Sequence, residues 1–165
     1  MRVNVDGRGT ANVATGVSVL DHLLALLAAY ASFDLALEVA LGDAEEEVRA
    51  AGRAFGEALA SPLRADGVRG HGSAVVPSAE ALAHVALEAE DEPLLVSHVD
   101  LSEVRLGGVS TDIVAAFLHE LCMGARLTLH VRLLDGTDAH HVLEAIFKAL
   151  GTALAQACRP RRRKE

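Results

Sequence analysis

A chain of 165 residues, 51% of them hydrophobic, is long enough to bury one core, which excludes a disordered polymer. A net charge of -8, with 3% aromatics and no Trp, excludes a general nucleic-acid binder, which needs cationic surface and rings for stacking. The apolar stretch 17–33 is broken by Asp21 and His22 and is too short to span a bilayer, so no membrane partner is expected.

The first predicted helix covers 19–31, where Leu20, Leu23, Leu24 and Leu27 recur at i, i+3, i+4, i+7, with Ser18 and Asp21 as a capping box at its start. Alternation over 33–39 predicts a strand with one buried face. Residues 61–77, rich in Gly and Ser with two prolines, read as a connector, and 82–90 and 94–101 as the strands that follow it. Ile113, Val114, Phe117, Leu118 and Leu121 predict a helix over 111–123, and 126–133 alternates again as a strand. Cys122 and Cys158 sit in apolar helical patterns without metal or redox spacing; with no secretory signal in view, reduced thiols and a cytoplasmic location are expected. The run from Arg159 to Lys164 reads as a solvated basic tail.

Written against itself, the chain repeats. Gly16-Val17-Ser18 recurs as Gly108-Val109-Ser110, and at that offset of 92 Leu35, Leu37 and Val39 fall on Leu127, Leu129 and Val131, and Asp43 on Asp135. Beyond Asp43 the offset becomes 95, so that Gly56 meets Gly151 and Glu45, Glu46 and Arg49 meet His140, His141 and Glu144. The expected fold is α+β: two tandem β-β-α-β-α copies, about 1–60 and 82–158, with helices on one face of each sheet and a tail at 159–165. The uncovered faces are natural surfaces for a homo-oligomer.

The chemistry concentrates in DGTDAHHVLEAIFKAL. On a helix His140 and Glu144 share a face one turn apart, His141 and Glu144 are neighbours at three apart, and imidazole with carboxylate suits a divalent cation such as Mn, Fe or Zn. The two adjacent histidines diverge by about 100°, so they can serve two metals, or one metal and a substrate. Lys148, one turn beyond Glu144, is placed to hold an anionic group. The plain alternative is a solvated polar helix start. His22, in the first turn of the first helix, is either a ligand or a polar residue of the capping region. His130 alternates with Leu129 and Val131 and so points off the buried face of its strand. His71, His84, His98 and His119 show no ligand spacing, although His119 faces the region that the matching helix gives to His22.

The segments VLDHLLALLAAYASFDLALEV, PSAEALAHVALEAEDEPLL and RLTLHVRLLDGTDAHHVLEAIFKAL resemble the imidazoleglycerol-phosphate dehydratase family over nearly the whole chain. The resemblance implies a ribosomal protein S5 domain 2-like fold, a cubic assembly of 24 subunits, and a hydro-lyase of histidine biosynthesis. That enzyme turns imidazole glycerol phosphate into imidazole acetol phosphate on two Mn2+ ions held between subunits. It also implies that His22, His140, His141 and Glu144 are metal ligands, that His22, His141 and Glu144 serve catalysis, and that Lys148 and Arg69 contact the phosphate ester.

Several positions depart from the family pattern. The first-copy His-His-x-x-Glu is Glu45-Glu46-x-x-Arg49, leaving Glu45 and Glu46 as the carboxylates available to a rebuilt ligand set. Arg49 cannot ligate, and its charge opposes a divalent cation. Gly70 and Glu92 stand at two family arginine positions, with Arg69 one residue from the first, and Ala115-Ala116 supplies no ligand on the second copy's first helix. The loop before the helix of Glu45, Glu46 and Arg49 is shorter than the family's, and the chain opens close to the turn at Asp6, Gly7 and Gly9, without the family's N-terminal arm and its Glu. Three readings follow: a dehydratase with rebuilt ligands, an impaired paralogue keeping the scaffold and one half-site, or a metal-stabilised structural or binding module; one tight Mn2+, not two, is expected at His140, His141 and Glu144.

Overall fold

The computed structural model describes residues 1–38, 42–99, 105–106, 109–110 and 112–162. In chain order the elements are β1 (Arg2–Asn4), β2 (Ala11–Ala14), α1 (Ser18–Ala31), β3 (Asp34–Glu38), α2 (Ala44–Ala60), a 3-10 turn (Pro62–Arg64), β4 (His71–Ser78), β5 (Ala81–Ala89), β6 (Leu94–Ser97), β7 (Arg105–Leu106), β8 (Val109–Ser110), α3 (Asp112–Ala125), β9 (Leu127–Asp135) and α4 (Ala139–Ala157). The fold is α+β, as expected. One sheet has the order β1-β3-β2 and the other β4-β5-β9-β6. In both, a central strand (β3 or β9) has an antiparallel neighbour on one side (β1 or β5) and a parallel one on the other (β2 or β6). Strand β4 adds an antiparallel edge to the second sheet. It occupies much of the stretch 61–77 expected to be a connector.

The matching of the halves is shifted from the sequence alignment. Helices α1 and α3 each end on a residue in the left-handed conformation, Ser32 (φ 56°) and Arg126 (φ 54°), which sets the offset at 94 through helix and strand, not 92. Leu35 therefore corresponds to Leu129. A strand repeats its faces every two residues, so a slip of two keeps all its apolar side chains on the buried face and goes unnoticed in the sequence. Val39 and Gly108 lie outside the described residues. Past the strands the offset of 95 holds: α2 is capped by Asp43, whose carboxylate accepts from the Glu45 N–H at 2.9 Å, and α4 by Asp138, which accepts from the His140 and His141 N–H groups at 2.9 and 3.2 Å.

The capping box at Ser18 does not form. Val17 is the N-cap of α1, and Asp21 instead accepts from the buried Thr15, at 2.9 Å from its N–H and 2.6 Å from its hydroxyl. The basic tail also differs from a solvated one at its start. Val68 bridges Pro160, the Arg69 N–H donates to Arg159 O at 2.9 Å, and Arg161 Nε donates to Val68 O at 3.0 Å.

The helices exchange partners between halves: α4 packs against α1, and α2 against α3. Close approach is possible because a Cβ on Gly151 would lie 2.4 Å from Leu27 O, and one on Gly56 the same distance from Leu121 O. The core beneath runs through Phe55, Phe117 and Phe147, with ring centroids 6.4 and 6.0 Å apart in sequence. Cys122 is buried there and donates to Leu127 O at 2.8 Å; both cysteines are free. No helix among the described residues is long and apolar enough to cross a membrane.

Candidate metal centre

The α1–α4 seam brings three donors together. Asp138 starts α4 so that His140 and Glu144 stand one turn apart on one face, and α1 lays His22 beside them. His140 Nε2 is 2.5 Å and His22 Nε2 3.6 Å from Glu144 Oε1. The two imidazoles stack, with centroids 5.8 Å apart and planes 9° from parallel. One ligand atom from each residue lies within 4.8 Å of the others, and this is the one such group of three among the described residues. The histidine side chains are about half exposed, at 49% and 48%, while Glu144 is sheltered at 17%. The donors therefore face solvent from a fixed carboxylate.

Burial pushes the Glu144 carboxyl up, but the Ser78 hydroxyl, donating to Oε2 at 3.0 Å, and the neighbouring His140 and His22 outweigh it and hold the pKa below the ordinary value. An ionised carboxylate with two imidazole nitrogens fits a borderline divalent cation. Lys148 Nζ donates to Ser78 Oγ at 3.2 Å and to Pro77 O at 3.4 Å, and sits 5.5 Å over the Tyr30 ring. Ser78 thus links Lys148 to Glu144.

Other expected site residues lie elsewhere in the chain. His141 turns away from the cluster, its Nδ1 2.6 Å from Glu80 Oε2. Glu45 pairs with Arg49 at 3.1 Å, and Glu46 is exposed beside it. Arg49 also reaches Glu120 at 3.9 Å, and Arg53 binds Glu120 at 2.8 Å. At offset 94 the counterpart of His22 is Ala116, so the α2–α3 seam carries ion pairs where the α1–α4 seam carries the candidate ligands. Arg69 borders a cavity of about 640 Å³ with His71, Arg159, Arg161 and Arg162, at the opposite end of β4 from Lys148. His84 pairs with Ser73 at 2.8 Å. Neither Ser78 nor Glu80 was singled out by the sequence: Ser-Ala-Glu reads as an ordinary polar turn, and only the hairpin joining β4 to β5 aims the two side chains at α4.

A profile of the imidazoleglycerol-phosphate dehydratase family matches residues 15–154, a span that includes every residue of the cluster. The chain belongs to this family. It is 44% identical over 162 residues to the imidazoleglycerol-phosphate dehydratase of Syntrophobacter fumaroxidans, covering 95% of this chain and 82% of the relative. To that of Acetivibrio thermocellus it is 39% identical over 164 residues, covering 96% and 84%. The crystal structure of the Staphylococcus aureus dehydratase superposes with a TM-score of 0.88 at 30% identity, covering 96% of this chain and 92% of that one. The Pyrococcus furiosus enzyme, solved in complex with (S)-C348, gives 0.85 at 28% identity. Within this dehydratase-family chain, His22, His140 and Glu144 meet at α1–α4, and the matching positions at α2–α3 carry Ala116, Glu45 and Arg49.

Proposed function

We propose that the chain serves the dehydration of imidazoleglycerol phosphate in histidine biosynthesis, with one Mn2+ held tightly by His22, His140 and Glu144. The convergence of these three donors on one point, next to Lys148, is the observation that carries the reading. A bound divalent cation supplies Lewis acidity, which eases removal of protons from a coordinated imidazole. Glu144 stays ionised because Ser78 donates to it, and Lys148 offers its ammonium to a phosphate ester at the edge of the cluster. Arg69 is a second candidate phosphate contact, reaching a substrate at Lys148 only if another subunit presents it. His141 takes the proton-transfer or second-ligand role on the outward face. A cytoplasmic homo-oligomer, with 24 subunits as the expected assembly, is the setting this reading implies.

A second reading, a scaffold with impaired turnover, is favoured by the Arg49 guanidinium held between Glu45 and Glu120. A family reaction that needs two cations around one ring would find a single ligand set per chain. The deciding experiment is a turnover assay of the purified protein with imidazoleglycerol phosphate and added manganese, alongside metal analysis. Turnover abolished by His140→Ala supports the dehydratase. Metal-loaded protein without turnover supports the impaired scaffold, and no metal uptake removes both.

A further inference from the structure

We propose that Glu80 is a positioning residue for His141: from the tip of the β4–β5 hairpin it fixes which ring nitrogen of His141 is free to act. The proposal rests on the reading above that His141 is a functional donor.

The hairpin tip is short and rigid. Ser78 pairs directly with Ala81, leaving a two-residue turn in which Ala79 adopts φ 49°, a left-handed conformation uncommon for a residue with a side chain. That turn is docked on the loop leading into α4, where a Cβ on Gly136 would lie 2.8 Å from the Ala81 Cβ. Glu80 is therefore carried to the head of α4 by backbone geometry, and both its oxygens are engaged there. Oε1 accepts the Asp138 N–H at 3.0 Å, and Oε2 lies 2.6 Å from His141 Nδ1. Asp138 in turn caps the N–H groups of His140 and His141, so a single carboxylate ties the cap residue to the ring it helps to place.

The chemistry of that contact has one sense. An exposed carboxyl is ionised at neutral pH and can only accept, so Nδ1 must carry the hydrogen it shares with Glu80. A neutral imidazole protonated at Nδ1 has its lone pair on Nε2. His141 consequently presents Nε2 to the outside as an acceptor or ligand, which is the tautomer opposite to the one a free histidine side chain favours. A carboxylate orienting an imidazole in this way fixes its tautomer and holds its ring angle. Ser78, at the other end of the same turn, does the corresponding work for Glu144 and Lys148. The hairpin tip acts as a jig for the outward face of α4, and Ala79 is the hinge point that sets its reach.

The test reads the tautomer directly in the metal-free, unliganded protein, so its failure is separate from any failure of the dehydratase reading. Long-range 1H–15N spectra of protein labelled in its histidine rings are recorded for the parent and Glu80→Ala, with His141 assigned by loss of its signals in His141→Gln. The parent is expected to show His141 predominantly protonated at Nδ1. Glu80→Ala is expected to shift it to a mixture dominated by the Nε2–H form. Thermal unfolding of this variant tracks the contribution of Glu80 to the helix cap, which does not depend on tautomer. Nε2 protonation in the parent, or an unchanged tautomer in Glu80→Ala, would each overturn the proposal.

Discussion

His22 and His140 stack with their rings 5.8 Å apart and 9° from parallel, although one belongs to the first half of the chain and the other to the second. What joins them is the exchange of helices between halves, in which α4 lies against α1 through the Gly151–Leu27 contact. The centre is therefore a property of the seam, and not of the His-His-x-x-Glu motif by itself.

The seam makes two otherwise similar glycines respond differently. Gly151→Ala and Gly56→Ala each place a methyl group against a carbonyl oxygen 2.4 Å away, on Leu27 and Leu121 respectively. Each should cost about 1–3 kcal/mol of stability in urea unfolding. Only Gly151→Ala should also weaken manganese binding, because only that seam holds His22 against Glu144. Equal manganese affinity in both variants would show that the spacing of α1 and α4 does not set the cluster.

Ser78→Ala removes the hydroxyl that donates to Glu144 and accepts from Lys148. The Glu144 pKa should rise from its lowered position toward, or beyond, the ordinary value, since the opposing effect of burial remains. Manganese affinity at neutral pH should fall by about tenfold, in line with the loss of outer-shell partners in metal sites. A manganese titration followed by electron paramagnetic resonance reads both affinity and its shift along the pH axis.

Asp34 gives the fold an acid-sensitive latch. Its Oδ1 accepts the Arg8 and Thr10 N–H groups at 3.0 Å each, and these backbone donors hold its pKa below the ordinary 3.8. A carboxyl whose folded pKa is depressed stabilises the native state fully above its unfolded value, and that contribution is lost as pH falls through the folded value. Asp34→Asn should therefore lower Tm at pH 7, with the difference from the parent shrinking below about pH 4. A difference independent of pH would assign the effect to packing of the turn at Gly7.

Glu45 is committed to Arg49 on the α2–α3 seam. Glu45→Ala should leave the tight manganese site unchanged in affinity and stoichiometry, with at most about 1 kcal/mol lost in stability, as befits an exposed pair. Loss of a bound ion in this variant would establish a carboxylate-rich second site.

The parts of this molecule legible in its sequence are those with short-range causes. The periodic leucines of α1 and the i, i+4 spacing of His140 and Glu144 are local facts, and they survive folding intact. The role of His22 was ambiguous because the partner that gives it meaning arrives from the far end of the chain. Strand β4 reads as connector in the sequence because Gly and Ser dilute its pattern and Pro77 interrupts it; as an edge strand it tolerates the missing N–H. The offset error of two residues reflects the period of a strand, which leaves such slips without a signature. Ser78 and Glu80 were invisible for a related reason: a turn's composition says that the chain reverses, not what its side chains will meet.

The proposed site of His22, His140 and Glu144 holds one divalent cation tightly. This is tested most directly by counting manganese bound per chain, by elemental analysis after equilibration and gel filtration, in the parent and in His140→Ala. One ion per chain is expected in the parent, with at least a tenfold fall in the variant and its circular dichroism unchanged. Equal manganese content in a folded His140→Ala protein would contradict it and reduce the cluster to a solvated helix face.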